Sequence, residues 1–456
     1  MTSFLIKNAE GVLTGKTGQH ARATGDIRVE NGIISEIGAL EKRPNERVID
    51  ASGCVVTPGL VNTHHHLFQS CLKAVPAGMN ERLATWLRLV PVSHWHLLDG
   101  DVMKVSAMVG MAELALSGAT TVADHHYFYS DRYDFDPNEV LFDVADRFGM
   151  RFLLARGGAT QARKYDTDDV PPLPIEPLDD MIDAVTTAAQ RWHDPAPDAM
   201  RRVAFAPTTP TFSLPDSALR EVRAATRHLG LRLHSHLSEN MDYVEYTMGK
   251  YGMRPVHWLA EQDWLGEDVW YAHMVEIDDS EIAVLAETGT AMSHCPQANA
   301  RLGSGVAPTS ALHAAGGTVS LAVDGAAANE AADMGTTLYL AFALPRASEK
   351  EAAASRAETV LSWATAGGAR ALGFDTIGTI EVGKSADLAI FELNRPRYFG
   401  QHDQAISPII SAGDLSVRHS FVRGNTIVEN GELPWLDMEW LRAEALRVVN
   451  KLKAAA

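Results

Sequence analysis

Short apolar runs alternate with amphipathic stretches along the centre of the chain. The apolar runs that predict strands are residues 55–62, 120–124, 151–156, 202–207, 231–236, 269–273, 291–294 and 319–324. The intervening stretches that predict helices include residues 138–148, 178–192, 215–229, 280–288 and 309–315. Glycine, the usual residue after a helix C-terminus, follows several of them. Eight strand–helix units predict a parallel (β/α)8 TIM barrel.

Both ends of the chain have a different sequence pattern, which predicts short strands and tight turns. Residues 3–7, 26–30 and 33–37 are strand-like, and so are residues 387–392 and 417–422. We therefore predict a small β-sandwich domain built from residues 1–57 and 378–456, the latter with a terminal helix, around a barrel of residues 58–377. The alternative, an open doubly wound sheet, offers no reason for polar residues at the exits of eight strands.

Histidine and aspartate concentrate where the predicted strands end. In a TIM barrel the catalytic groups lie at the C-terminal ends of the strands. Residues at these positions are His64, His65, His66, Asp124, His125, His126, Arg156, Thr208, Thr209, His234, His236, Glu239, His273, His294 and Asp324. The strand bodies are apolar, so packing does not explain this set, and we expect an active site at that mouth.

The spacing of two histidines suggests a metal site. His64 and His66 are two residues apart, so on a strand both imidazoles share one face. That pair alone fits a hydrogen-bonded structural pair equally well. His236 and Asp324, from two further strands, complete a three-histidine, one-carboxylate set that suits a first-row metal ion with room for water.

Five motifs in order resemble the amidohydrolase superfamily, and within it the deaminase branch. They are PGLVNTHHH at 58–66, HSHLSE at 234–239, AH at 272–273, SHCP at 293–296 and VDG at 323–325. The likeness covers nearly the whole chain and includes GTIEVGKSADL at 378–388.

This resemblance implies that His64, His66, His236 and Asp324 bind one zinc or iron ion per chain. Binuclear relatives need a lysine or glutamate ligand from the fourth strand, and residues 203–208 contain neither. We therefore expect a mononuclear site.

Three residues receive chemical roles. Glu239 is expected to be the general acid/base that protonates a ring nitrogen, although alone it also fits a solvated residue at a helix start. Asp324 is expected to take a proton from water, and His273 to lie beside the metal and substrate and stabilise developing charge.

Two residues are candidate substrate contacts. Gln69 lies where relatives place a substrate-binding glutamine, and its carboxamide can pair with both groups of a lactam edge. Its alternative is an exposed loop residue. Arg156 could donate to a ring carbonyl, or it could form an ion pair. His125 and Trp86 are weaker candidates for such a contact, and His125, Trp86 and His294 are left without a definite role.

We expect hydrolytic deamination of a 2-amino-4-oxo heterocycle, with isoxanthopterin as the first candidate. The alternatives are 8-oxoguanine or guanine, and the amino- or chloro-substituent of an s-triazine. A non-catalytic scaffold of the same fold is a hypothesis of a different class. The chain retains all four ligands together with Glu239 and His273, which argues against that scaffold.

Composition limits the partners. The formal charge of −18 argues against nucleic acid and against an anionic membrane surface as binding partners.

Apolar runs stay well short of the ~20 residues that span a bilayer. Three cysteines far apart give no disulfide framework, and the charged first ten residues do not fit a signal peptide. We expect a cytoplasmic homo-oligomer that acts on a small heterocycle.

Overall fold

The computed structural model describes residues 3–162, 173–413 and 415–455. Eight parallel strands form one sheet in chain order. They are β1 (Leu60–Asn62), β2 (Ala119–His126), β3 (Arg151–Arg156), β4 (Arg201–Phe205), β5 (Arg232–Leu237), β6 (Val269–His273), β7 (Ala291–His294) and β8 (Val319–Leu321).

The sheet closes on itself between β8 and β1. Thr63 N donates to Leu321 O at 3.1 Å, and Asp324 N donates to His64 O at 3.1 Å. This closure confirms the predicted barrel. The carboxyl ends of all eight strands therefore meet at one mouth.

Helices surround the barrel. They are Leu83–Leu87, Gly100–Leu116, Pro137–Phe148, Leu178–Trp192, Asp216–His228, Met241–Tyr251, Pro255–Glu261, Asp279–Thr288, Pro296–Arg301, Thr309–Ala314, Met334–Glu349, Ala357–Ser362, Gly368–Leu372, Ser407–Ile410 and Met438–Ala455. Local signals fix their ends. Asp278 and Glu281 form a capping box at Asp279–Thr288, and Gly289 ends that helix in the left-handed region at φ 72°.

One predicted strand proved to be two. Residues 55–62 divide into Cys54–Pro58, which joins a sandwich sheet, and β1, which starts the barrel. The break is Gly59, where an added Cβ would lie 2.1 Å from Thr120 Oγ1. The chain thus needs a residue without a side chain where it passes β2.

Two further sheets come from both ends of the chain. The four-stranded sheet has the order Ile33–Gly38, Asp26–Glu30, Phe4–Lys7, Arg47–Asp50. The six-stranded sheet has the order Asn425–Glu429, Val417–Val422, Leu388–Glu392, Cys54–Pro58, Gly11–Leu13, Arg22–Ala23. Side chains of both sheets, among them Phe4, Ile27, Val56 and Leu388, share one buried cluster. The predicted sandwich is therefore present.

The terminal helix, Met438–Ala455, contacts the barrel. Lys451 bonds to Asp99 and Arg447 to Asp101, at the start of the helix Gly100–Leu116. The domain limits given above (1–57, 58–377 and 378–456) remain predictions.

Candidate active site at the barrel mouth

Four side chains converge at the mouth from β1, β5 and β8. His64 Nε2 and His66 Nε2 each lie 3.3 Å from Asp324 Oδ1. His66 Nε2 lies 3.2 Å from His236 Nε2. All four side chains are buried.

These distances fit a metal ion. Ligand atoms about 2.0–2.1 Å from a tetrahedral ion lie about 3.3–3.4 Å from one another. His64 Nε2 is buried and has no hydrogen-bond partner among the described residues. The donor set, the spacing and this orphaned nitrogen all match a zinc-type site.

Outer contacts orient two of the histidines. His66 Nδ1 lies 2.7 Å from the carbonyl oxygen of His125, and His236 Nδ1 lies 2.7 Å from that of Thr208. A carbonyl only accepts, so each Nδ1 carries the proton and each Nε2 presents its lone pair. This is the usual support of a metal-binding histidine.

His64 is oriented through a second histidine. His234 Nδ1 lies 2.9 Å from the carbonyl oxygen of Trp270, so it donates there and its Nε2 is an acceptor. His64 Nδ1, 2.8 Å from His234 Nε2, must then donate to it. The two hydrogen bonds, from His64 to His234 and from His234 to Trp270, therefore leave the lone pair of His64 Nε2 facing the other candidate ligands.

Burial sets the protonation of this cluster. It lowers the pKa of His64, His66 and His236 well below 6.5. These imidazoles therefore stay neutral, which is the form that binds metal. Burial raises the pKa of Asp324.

Glu239 and His273 lie next to the cluster. His273 Nε2 is 3.6 Å from Glu239 Oε2, and the His273 ring stacks on His236 at 5.5 Å and 14°. His273 Nδ1 lies 2.9 Å from Asn299 Oδ1, on the helix after β7. A carboxylate and an imidazole are thus placed beside the metal ligands, within reach of one bound ring.

The backbone is strained at the same place. Asp324 (φ 64°), His273 (φ 76°), Met274 (φ 46°) and Ser238 (φ 48°) all occupy the left-handed region. Such residues cost on the order of 1–3 kcal/mol each and cluster at functional sites.

A cavity opens above the cluster. His66, His236, Glu239, His273 and Asp324 lie at its floor. The rest of its wall is largely apolar and includes Leu83, Trp86, Leu87, Val92, Phe128, Phe212 and Leu302. Most small-molecule sites combine an apolar wall with a few polar groups in this way.

Gln69 lines this cavity. Its Nε2 donates to the Tyr127 hydroxyl at 3.3 Å, while its buried Oε1 has no partner among the described residues. A Cβ on Gly325 would lie 2.1 Å from that oxygen. Gly325 therefore makes room for the carboxamide beside Asp324, and Gln69 is buried rather than an exposed loop residue.

The structure does not bring Arg156 into this cavity. Its Nη1 and Nη2 donate to the two carboxylate oxygens of Glu176 at 2.7 and 2.6 Å, and its guanidinium carbon lies 3.8 Å from the Tyr129 ring centroid. It lines a separate cavity with Tyr129 and Glu176. The expectation that Arg156 contacts the substrate is therefore replaced by its alternative, an ion pair.

Three residues that received no role now have positions. His125 stacks on His236 at 4.9 Å and binds the carbonyl of Ala206 through Nε2. Trp86 forms part of the cavity wall. His294 is buried outside that wall.

Sequence reasoning assigned no role to His234, Asn299 or Tyr127. His234 had a detectable signal, because its two-residue spacing from His236 repeats that of His64 and His66. Asn299 and Tyr127 lie in no comparable pattern.

No helix in the described ranges is both long and apolar enough to cross a membrane. A histidine–aspartate cluster at a barrel mouth, beside a buried carboxylate, is suited to hold a metal ion. Residues 55–427 match the Amidohydrolase family, and the chain belongs to that family.

Known proteins resemble it over nearly their full length. An isoxanthopterin deaminase from an unknown prokaryotic organism is 45% identical, covering 99% of this chain and 97% of that protein. The 8-oxoguanine deaminase of Pseudomonas aeruginosa is 36% identical, covering 92% and 93%. The crystal structure of atrazine chlorohydrolase from Arthrobacter aurescens TC1, complexed with zinc, superposes with a TM-score of 0.90 at 28% identity, covering 98% and 100%.

Proposed function

We propose that the protein is a metal-dependent hydrolytic deaminase of a 2-amino-4-oxo heterocycle, with isoxanthopterin as its first candidate substrate. The observation that carries this proposal is the cavity that joins the His64–His66–His236–Asp324 cluster, Glu239 and the Gln69 carboxamide. The 45% identical isoxanthopterin deaminase supports the choice of ring.

One zinc or iron ion per chain would be held by His64, His66, His236 and Asp324. When bound, such an ion supplies the Lewis acidity that makes water nucleophilic near neutral pH. The fourth strand carries Val203, Ala204 and Phe205 rather than a further ligand, which supports a single ion.

The side chains of the chain perform the remaining steps. Asp324 accepts a proton from the attacking water and passes it to the departing amino group, which leaves as ammonia. Glu239 protonates the ring nitrogen next to the amino-bearing carbon, which makes that carbon electrophilic, and recovers a proton from the hydroxyl group on that carbon as the carbonyl forms. His273 stabilises the charge that develops at the attacked carbon.

Gln69 orients the substrate. Tyr127 holds its Nε2, so Oε1 is directed to accept from an N–H of the ring. An amino-lactam edge supplies such a donor. The apolar wall covers the faces of the ring and excludes water.

A second candidate substrate is 8-oxoguanine, because it presents the same amino-lactam edge and the 36% identical relative is an 8-oxoguanine deaminase. An s-triazine is the third, supported by the likeness to atrazine chlorohydrolase.

The test is ammonia release by the metal-loaded protein from isoxanthopterin, pterin, 8-oxoguanine and guanine, with chloride release measured from a 2-chloro-s-triazine. We expect the highest kcat/KM for isoxanthopterin and about one metal ion per chain by elemental analysis. Turnover of the triazine alone would contradict the deaminase proposal, and two tightly bound ions would contradict the single-ion site.

The oligomeric state and the cytoplasmic location stay predictions. Light scattering on the metal-loaded protein tests the first, and a single-chain mass in solution would contradict the homo-oligomer.

A further inference from the structure

Arg156 was expected to donate to a ring carbonyl of the substrate. Its ion pair with Glu176 leaves that carbonyl without an assigned donor. Two hydroxyl groups are better placed to donate a hydrogen bond to such a carbonyl. Thr209 and Ser213, in the loop after β4, both line the catalytic cavity and are 8% and 7% exposed. Their oxygens lie 3.2 Å apart. We refer to Thr209 and Ser213 as the hydroxyl pair.

The number of hydroxyl hydrogens determines how many hydrogen bonds the hydroxyl pair can donate. Each hydroxyl carries one hydrogen and can also accept. The contact between Thr209 Oγ1 and Ser213 Oγ uses one of the two hydrogens, whichever residue donates. Thr209 Oγ1 also accepts from the Phe212 N–H at 3.0 Å, which uses no hydroxyl hydrogen. Within the described residues no further acceptor contacts either hydroxyl, so the pair retains one donor.

The pair is rigidly held. Ser213 O accepts from the backbone N–H groups of Thr160 and Gln161 at 2.9 and 3.2 Å, and Ser213 N donates to Thr209 O at 3.2 Å. Gln161 Nε2 donates to Leu214 O at 2.9 Å. The loops after β3 and β4 thus brace one another, which fixes the backbone that carries the two hydroxyl groups.

Its position complements that of Gln69. Gln69 follows β1 and the hydroxyl pair follows β4, three strands further round an eight-stranded mouth. The two polar groups therefore face the cavity from nearly opposite sides. A fused ring with its amino-lactam edge on Gln69 turns its distal ring toward the β4 side.

We propose that the hydroxyl pair donates a hydrogen bond to a second carbonyl on the distal ring and thereby selects oxidised heterocycles over their unoxidised forms. This inference rests on the proposed deaminase function. The carbonyl is the 7-oxo group of isoxanthopterin or the 8-oxo group of 8-oxoguanine. Pterin and guanine lack it and leave the donor unpaired against an apolar wall.

The test is kcat/KM for isoxanthopterin and pterin with the wild type, Thr209→Val, Ser213→Ala and the double variant Thr209→Val/Ser213→Ala. We expect the wild type to prefer isoxanthopterin and the double variant to lose about 5- to 150-fold on isoxanthopterin, with a much smaller change on pterin. Each single variant keeps one hydroxyl hydrogen, so each loses less than the double variant.

Thr211→Val is the matched control. Thr211 lies in the same loop, is buried, does not line the cavity, and has a hydroxyl with no partner among the described residues. It should leave the isoxanthopterin-to-pterin ratio unchanged. Because both substrates are measured on one preparation, the ratio is insensitive to the folded fraction of any variant.

The outcomes separate the two proposals. If the wild type deaminates both pterins and the double variant keeps the wild-type ratio, the hydroxyl pair is not the selecting contact and the deaminase function stands. Equal wild-type values for the two pterins would also overturn the inference. If the wild type neither turns over nor binds any of the compounds in equilibrium titration, the function and the inference both fail.

Discussion

Strand β3 has a buried arginine at each end, and each of the two arginines forms an ion pair with a carboxylate. At the start of the strand, Arg151 Nε donates to Asp387 Oδ2 at 2.6 Å and Nη2 donates to Ser385 Oγ at 2.9 Å, which ties the barrel to the return segment of the sandwich. At the exit, Arg156 holds Glu176.

The two ends differ in what is left unpaired. Around Arg151, Nη1 bonds to the carbonyls of Asp198 and Ala199, so every nitrogen of this guanidinium has an acceptor. At the mouth, His64 Nε2 and Gln69 Oε1 are buried with no partner among the described residues. Within the described ranges, buried groups without a hydrogen-bond partner also occur near the strand starts, Thr121 Oγ1 and Arg202 Nε among them, so what distinguishes the mouth is that such groups lie together beside one cavity.

The largest effect should come from a metal ligand at the mouth. His66→Ala is expected to lose metal and activity together, because it removes the nitrogen that lies within 3.3 Å of both Asp324 and His236. Elemental analysis and ammonia release measure both.

The neighbour His65 provides the matched control. Its Nδ1 bonds to the Asp324 carbonyl at 2.6 Å, and His65→Asn keeps a donor there. We expect this variant to retain its metal. If His66→Ala keeps a full complement of metal, the assigned ligand set is contradicted.

Glu239→Gln should have the next largest effect on activity. The amide keeps the shape of the side chain and removes proton transfer, so kcat should fall by about 10²–10⁴. Metal content should equal that of the wild type. Turnover near the wild-type rate would show that another group carries the proton.

The two arginines give a direct contrast. Arg151→Met leaves the buried Asp387 without its cation and should lower the free energy of unfolding by about 3–5 kcal/mol. Arg156→Met should cost less, because the Glu176 it leaves behind is more exposed than Asp387. Denaturant unfolding of both variants measures the difference.

Neither arginine variant should alter the isoxanthopterin-to-pterin ratio. A selective loss on isoxanthopterin in Arg156→Met would return Arg156 to the substrate site.

A further prediction concerns pH. Burial lowers the pKa of His65 to about 4 and that of His126, His234 and His294 to about 3, against 6.5 when exposed. Below pH 6.5 the unfolded chain therefore binds protons that the folded chain does not, and stability falls as the pH drops from about 6.5 toward 4.

Thermal unfolding of metal-free protein at pH 7.5, 6 and 5 should show a progressive decrease in Tm. A Tm that is constant or higher at pH 5 would contradict this assignment.

Much of the architecture was predictable from periodicity. Residues 151–156 and 269–273 coincide with β3 and β6, because buried parallel strands appear as unbroken apolar runs. The two-residue spacing of His64 and His66 placed both rings on one face, and the structure brings them together.

The remaining features depend on contacts that are distant in sequence. Glu176 follows Arg156 by twenty residues and reaches back to it, and nothing in the local pattern separates that ion pair from a substrate contact. The break at Gly59 depends on Thr120 passing close by. Thr209 was among the polar residues at the predicted strand exits, but threonine and serine in a loop form no periodic pattern, so its pairing with Ser213 was not detectable.

The seam between β1 and β8 has a consequence for the order of assembly. The pairing of Thr63 with Leu321 joins residues more than 250 positions apart, and the pairing of Cys54–Pro58 with Leu388–Glu392 spans a longer interval still. Contacts this distant in the chain form slowly, after local helices and neighbouring strands. During synthesis, His64 and His66 emerge long before Asp324, which lies across the seam. The complete set of proposed ligands therefore exists only after most of the chain has been synthesised.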